Sequence, residues 1–210
     1  MEIEEKNKYI KNYLKNYFYK WLIKDIKIIL KVMREKKLEF TLPIILLAFA
    51  GIDFSGGLLC GFQKDNVRSR SKKFIKEWMG RINYLYSDEN MSEVIYDCVR
   101  CGSVHRAMYK QGVEISSDNS TNNHLRLSSS GNLIINTLQF TDDFINAFRL
   151  FRKDYIQKNI ESVYQYLNEM VRDSNDLTNR LRAGNYTIEN VYYSGKSTAP
   201  PPKPSEAPPE

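Results

Sequence analysis

The sequence predicts a mainly α-helical bundle with a small β insertion and a disordered proline-rich tail, and three patterns predict it. Apolar residues recur at steps of three to five over residues 8 to 37 and again from Asp142 to about Arg182, which is the spacing of one helix face. After Lys110 and before Asp142 only short apolar pieces alternate with turn residues. Six of the seven prolines fall after Tyr193, where no periodic pattern survives.

The elements follow in order. In the first helix, residues 8 to 37, the expected buried stripe is Ile10, Leu14, Phe18, Trp21, Ile26, Ile29 and Met33, with lysines between them. Thr41 is placed to cap the next helix, with Pro43 in its first turn. That helix carries Gly51, Gly56, Gly57 and Gly61, which predict a glycine-rich turn. Ser69 to Met79 reads as a short basic helix stopping at Gly80. Met91 to Tyr109 reads as another, with Ser92 near its start. Val113 to Ile115, Leu125 to Leu127 and Leu133 to Ile135 then suggest a β-hairpin or meander over about 113–136. A helix from Asp142 follows, with Phe144, Phe148, Phe151, Tyr155, Ile160, Val163, Tyr166 and Met170 as its apolar positions and with Asp142 and Asp143 suiting the positive end of the helix dipole. Residues 1–192 are expected to form a single helical domain, and 193–210 the tail.

Composition narrows the class. At 42% hydrophobic and 27% charged, the chain is ordinary for a globular protein. Residues 1 to 37 carry eleven Lys or Arg against five acids, an excess equal to the whole chain's net charge of +6. An anionic partner would meet this segment first. Three cysteines make no disulfide framework, and the charged N-terminus has no cleavable apolar core, so the expected compartment is a reducing cytoplasm. Leu42 to Phe62 is long enough to span a bilayer, but Asp53 sits in its middle, and a buried core helix is the expected reading.

The stretch that bears chemistry is Tyr96 to Gly112, YDCVRCGSVHRAMYKQG. At about 100° per residue, Val94, Cys101, His105 and Met108 lie within about 80° of Cys98 on a helix, whereas Arg100 points about 140° from His105. His105 in that stripe reads first as a hydrogen-bonded core histidine. A second reading is a metal site of Cys98, Cys101, His105 and His124, although that spacing is not a common zinc pattern. A third is catalytic, with Arg100 and His105 acting together.

The order of Arg100, four residues and His105 resembles the R-x4-6-H signature of HEPN (higher eukaryotes and prokaryotes nucleotide-binding) domains. A basic first helix, a core helix, the Arg/His helix and a later helix from Asp142 look like the bundle of that family. HLRLSSSGNLIINTLQFTDDF looks like an extension in some bacterial HEPN-like proteins. The resemblance implies a homodimeric, metal-independent endoribonuclease without a cofactor, of a kind used as a toxin or antiviral-defence effector and held by an antitoxin or other protein partner. It implies that Arg100 binds the scissile phosphate and His105 handles protons. The family usually has Asn, Asp or His after the arginine; here Cys101 stands there, which favours the alternative of a non-catalytic module that binds RNA, a nucleotide or a protein. Basic residues suited to an RNA backbone are Arg68, Arg70, Lys72, Lys73 and Arg106. Tyr84, Tyr86 and Tyr109 read first as packing residues and second as platforms for bases.

Overall fold

A computed structural model describes residues 1–38, 40–61, 67–102, 110–118 and 123–182. The predicted tail, 193–210, lies outside them. The chain resolves into two compact units, Met1–Glu169 and Met170–Glu210.

The N-terminal helix begins earlier than its periodicity indicates. Helix α1, Ile3–Tyr13, opens with a capping box between Glu2 and Glu5 and passes into a π-helical stretch, Leu14–Ile23, then helix α2, Lys24–Lys36. The π turn alters which side chains go inside. Ile10, Leu14, Phe18, Ile23, Ile26, Leu30 and Met33 are buried, while Trp21 is 61% exposed. A five-residue step from Phe18 to Ile23 matches the i→i+5 bonding of a π-helix. A stripe drawn at 3.6 residues per turn therefore chose Trp21 where the fold buries Ile23; within α2, Leu30 is buried and Ile29 half-buried.

Helix α3, Thr41–Cys60, is the core element. Its N-cap is Phe40, not Thr41. The glycines do not break it: the helix runs unbroken through Gly51, Gly56 and Gly57. They serve close approach instead. A Cβ on Gly56 would stand 2.5 Å from the backbone carbonyl oxygen of Arg70, and one on Gly57 would collide with the phenol oxygen of Tyr166. Eleven of its twenty residues are buried, among them Ile44, Ile45, Phe49 and Ile52. The helix is long and apolar enough to cross a membrane by length and composition.

Helix α4, Val67–Glu77, lies against α3 and ends near a 3-10 turn at Met79–Arg81; a second such turn follows at Tyr84–Ser87. Helix α5, Glu89–Val94, starts on Asp88, whose carboxylate accepts from Met91 N at 2.8 Å. Asp88 rather than Ser92 is thus the cap. The chain continues as a π-helical stretch, Ile95–Arg100.

The β insertion is not the expected hairpin or meander. Strands β1, Val113–Ser116, and β2, Leu133–Asn136, pair in parallel, Val113 opposite Leu133 and Ser116 opposite Asn136. The tight turn does exist: Ser128 N donates to Asn132 O, and Leu125 N and Ile134 N bond across to Ile134 O and Arg126 O. It makes only an isolated antiparallel bridge, Leu127 to Leu133. β2 is thus bonded on both edges, and its far edge takes β1 because Leu133 N reaches Gly112 O at 2.8 Å.

Helix α6, Thr137–Phe151, follows β2 directly. It is capped by Asn136, whose side-chain oxygen accepts from Gln139 N at 3.0 Å. Asp142 and Asp143 are therefore not first-turn residues. A π-helical stretch, Arg152–Ile156, and helix α7, Ile160–Arg182, complete the described chain. In the first unit the core is aromatic. Phe148 meets Phe18 at 4.2 Å between centroids, and Phe151 meets Trp78 at 4.9 Å and Tyr155 at 5.0 Å. Such pairs add about 1 kcal/mol each beyond burial.

Candidate functional site

Arg100 ends the π-helical stretch after α5 and projects toward the middle of α3. Its Nη2 donates to Asp53 Oδ2 at 3.3 Å, and its guanidinium carbon lies 5.4 Å from the centroid of the Tyr96 ring. The other carboxylate oxygen of Asp53 accepts from the Ser71 hydroxyl on α4, which itself sits 2.7 Å from the Val67 carbonyl. Three elements thus converge on one carboxylate. Their placement follows from sequence: Asp53 is the one charged residue of an otherwise apolar helix, and a carboxylate leaving water needs a cation and hydroxyl donors.

Both charged partners remain partly open, with side-chain exposures of 19% for Arg100 and 20% for Asp53. Burial works against the arginine's charge, but Asp53 and then Tyr96 outweigh it, so its pKa is raised and it stays a cation. Burial pushes the Tyr96 phenol up, partly offset by Arg100. Burial also raises the Cys98 thiol, which makes it a poor thiolate near neutral pH.

His105 and Arg106 lie outside the described residues, as does Tyr109. The geometry between Arg100 and His105 therefore stays a sequence expectation. The 100° arithmetic does not apply over Ile95–Arg100, where the backbone is π-helical.

Of the expected RNA-backbone residues of α4, Arg68, Lys72 and Lys73 line one cleft. Arg68 is ion-paired with Glu93 and with Asp97, and Lys72 with Glu93 and Glu89; Lys76 extends that row to Glu89. Three acids on the segment beginning at α5 thus offset this row. Burial raises the Cys60 thiol pKa, and Lys73 and Arg70 lower it in part. Arg70 acts in the same sense on the buried Tyr166, whose phenol burial pushes up.

Of the four residues of the metal reading, His105 lies outside the described residues and His124 has protein partners. Its Nδ1 accepts from Asn136 N at 3.0 Å, so its proton is assigned to Nε2, which faces the Tyr86 hydroxyl at 2.7 Å. That hydroxyl donates to Asp143 Oδ2 at 3.1 Å, and Gln139 Nε2 donates to Asp143 Oδ1 at 2.6 Å. Both ring nitrogens are occupied by protein. Among the described residues no group of three or more His, Cys, Asp or Glu is placed to hold a metal ion. Tyr86, read as a possible base platform, is fully buried in this network, whereas Tyr84 is 78% exposed.

Sequence reasoning missed two things here. Asp53 was read only as an obstacle to membrane insertion. Its solitary charge was the signal that a cation had to reach it. The Tyr86, His124 and Asp143 chain joins residues 57 positions apart and left no local signature. No family model, no curated protein and no solved structure matches this chain.

Proposed function

We propose that the chain is a HEPN-like, metal-independent endoribonuclease that acts as a homodimer in the cytoplasm, as a toxin or antiviral-defence effector restrained by a protein partner. The observation that carries the reading is the arginine of the R-x4-H pattern. Asp53 fixes Arg100 in orientation and keeps it charged at a partly open position. A fixed guanidinium suits the non-bridging oxygens of a phosphodiester and the charge that builds on them during cleavage.

In this scheme His105 takes the proton of the RNA 2′-hydroxyl as that oxygen attacks the adjacent phosphorus. The bond to the 5′-oxygen breaks, the departing oxygen gains a proton, and the products are a 2′,3′-cyclic phosphate and a 5′-hydroxyl. Histidine's ordinary pKa of about 6.5 suits such a transfer near neutral pH.

A second reading, a binding module without catalysis, is favoured by Cys101 after the arginine and by the carboxylate already seated on Arg100. One experiment separates the two. Purified protein is incubated with RNA in EDTA beside His105→Ala and Arg100→Ala, and the product ends are identified. Cleavage giving cyclic phosphate ends in wild type, reduced at least about 100-fold in both variants, supports the nuclease. Intact RNA with wild type moves the assignment to the binding module.

A further inference from the structure

The first helical arm and the α6 arm face each other along one seam of the Met1–Glu169 unit, and basic side chains line two clefts there. One, of about 440 Å³, lies between residues 7–19 and 152–157 and includes Lys11, Lys15 and Arg152. The other, of about 360 Å³, lies between α2 and α6 and includes Lys27, Lys31 and Arg149. These six cations are exposed. Two carboxylates line the clefts: Asp142, paired with Arg34, and Glu35, 3.8 Å from Lys31. The seam therefore carries a clear excess of positive charge, unlike the Arg68, Lys72 and Lys76 row, whose partners are three acids.

Two of these cations are held in place. The Arg152 guanidinium lies 5.4 Å over the Tyr19 ring, and Arg149 donates to Asn146 Oδ1 at 2.9 Å. Tyr19 lines the first cleft and is edge-on to Phe148 of α6, so the arginines sit where the clefts approach each other. From Lys11 to Lys31 the arm runs about 30 Å, enough for several consecutive phosphates.

We infer that this seam is a docking groove for the backbone of single-stranded RNA. The identity of the strand rests on the ribonuclease reading; the groove and its charge do not. A duplex carries its phosphates on the outside of a thick cylinder and meets only the rim, whereas a single strand lies within the clefts. A bilayer surface is flat and likewise cannot enter them. The groove supplies affinity without sequence preference, since lysine and arginine meeting phosphates read no bases.

The test uses a fluorescent single-stranded RNA of about 12 nucleotides with every 2′-hydroxyl methylated. Such a strand cannot be cut by 2′-oxygen attack, so binding is read apart from cleavage. Anisotropy is followed against salt for full-length wild type, for Lys15→Gln with Lys27→Gln and Arg149→Gln, and for a charge-matched control of Lys76→Gln with Arg126→Gln and Lys158→Gln. Expected are wild-type binding, a loss of about 30-fold in the groove variant, a salt slope flatter by about 2, and a control within about threefold. All six positions are exposed or surface-paired, and thermal unfolding checks that both variants fold.

Wild type that fails to bind, a groove variant that binds like wild type, or two variants that weaken binding alike would each overturn the groove. Vesicles of phosphatidylcholine with phosphatidylserine form a separate arm. Binding to them in place of RNA would overturn the inference in favour of a membrane surface. If the groove variant loses binding while wild type leaves cleavable RNA intact, the groove stands and the nuclease reading falls. If wild type cuts RNA and the groove variant cuts equally well, the reverse holds.

Discussion

Two polar centres of the described residues are built to opposite plans. At Asp53, Ser71 and Arg100, opposite charges meet at a partly open position and both keep contact with water. At Tyr86, His124 and Asp143 the side chains are almost wholly enclosed, with exposures of 0%, 5% and 1%. There, burial works against charge on both His124 and Asp143. Burial lowers His124 to about 4 and raises Asp143 to about 6. The hydrogen bonds agree for the histidine. A second ring proton would sit on Nδ1, which already faces the Asn136 N–H donor. The open centre keeps a paired cation in contact with water, and the closed one pins the β insertion to the helical body.

The largest way to test this contrast is pH. Between about 4 and 6.5 unfolded His124 binds a proton that the folded state refuses, so stability is lost as pH falls through that window. Between about 3.8 and 6 folded Asp143 binds a proton that the unfolded chain has lost, so stability is gained as pH falls. The two contributions oppose each other and nearly cancel in wild type. Asp143→Asn removes one and exposes the other. Urea unfolding of this variant is expected to lose up to about 3 kcal/mol, relative to wild type, from pH 6.5 to 4. A variant with the wild-type profile would mean that the two groups are not enclosed together.

Next in size is Tyr86→Phe, which deletes the hydroxyl between the His124 Nε2–H and Asp143. It leaves a buried donor without a partner and a carboxylate with one fewer, at a cost of about 2 kcal/mol near neutral pH. The smallest effect is expected at the open centre. Asp53→Asn keeps the Ser71 contact and lets water reach Arg100, costing about 1 kcal/mol. A loss at Asp53 exceeding that at Tyr86 would reverse the assignment of pin and open site.

Much of the helical part was legible. Phe144, Phe148, Phe151 and Val163 are buried where periodicity puts them, because α6 and α7 keep an ordinary helical turn across those positions. The first stripe failed at Trp21, where the π-helical stretch introduced a five-residue step that no residue type announces, and at Ile29, which is half-buried beside the buried Leu30 in α2. The glycines of α3 read as punctuation because a sequence cannot tell a turn from a close approach. Gly56 is small because the carbonyl of Arg70 lies against it, and that neighbour is set by packing.

At the candidate site the arginine was visible and its anchor was not. Arg100 stood out through the spacing to His105, whereas Asp53 lies 47 residues away and meets it only once α3 packs beside the π-helical stretch. The buried histidine shows the same limit more sharply. His124 and Leu125 are adjacent, and on an extended strand they would point to opposite faces. Both are buried because Leu125 takes a left-handed φ of 61°, a turn that costs about 1–2 kcal/mol and persists because the enclosing contacts outweigh it.

By itself the sequence determined the helical class, the approximate extent of the helices and the concentration of lysine in the first arm, because these depend on residue type and local spacing. Only the tertiary structure decided the parallel pairing of β1 with β2, the partner of Arg100, the closure of His124 and the two walls of the basic seam. Each of these joins residues far apart in the chain, and the free energy that selects them comes from burial and mutual satisfaction of polar groups, which local sequence does not encode.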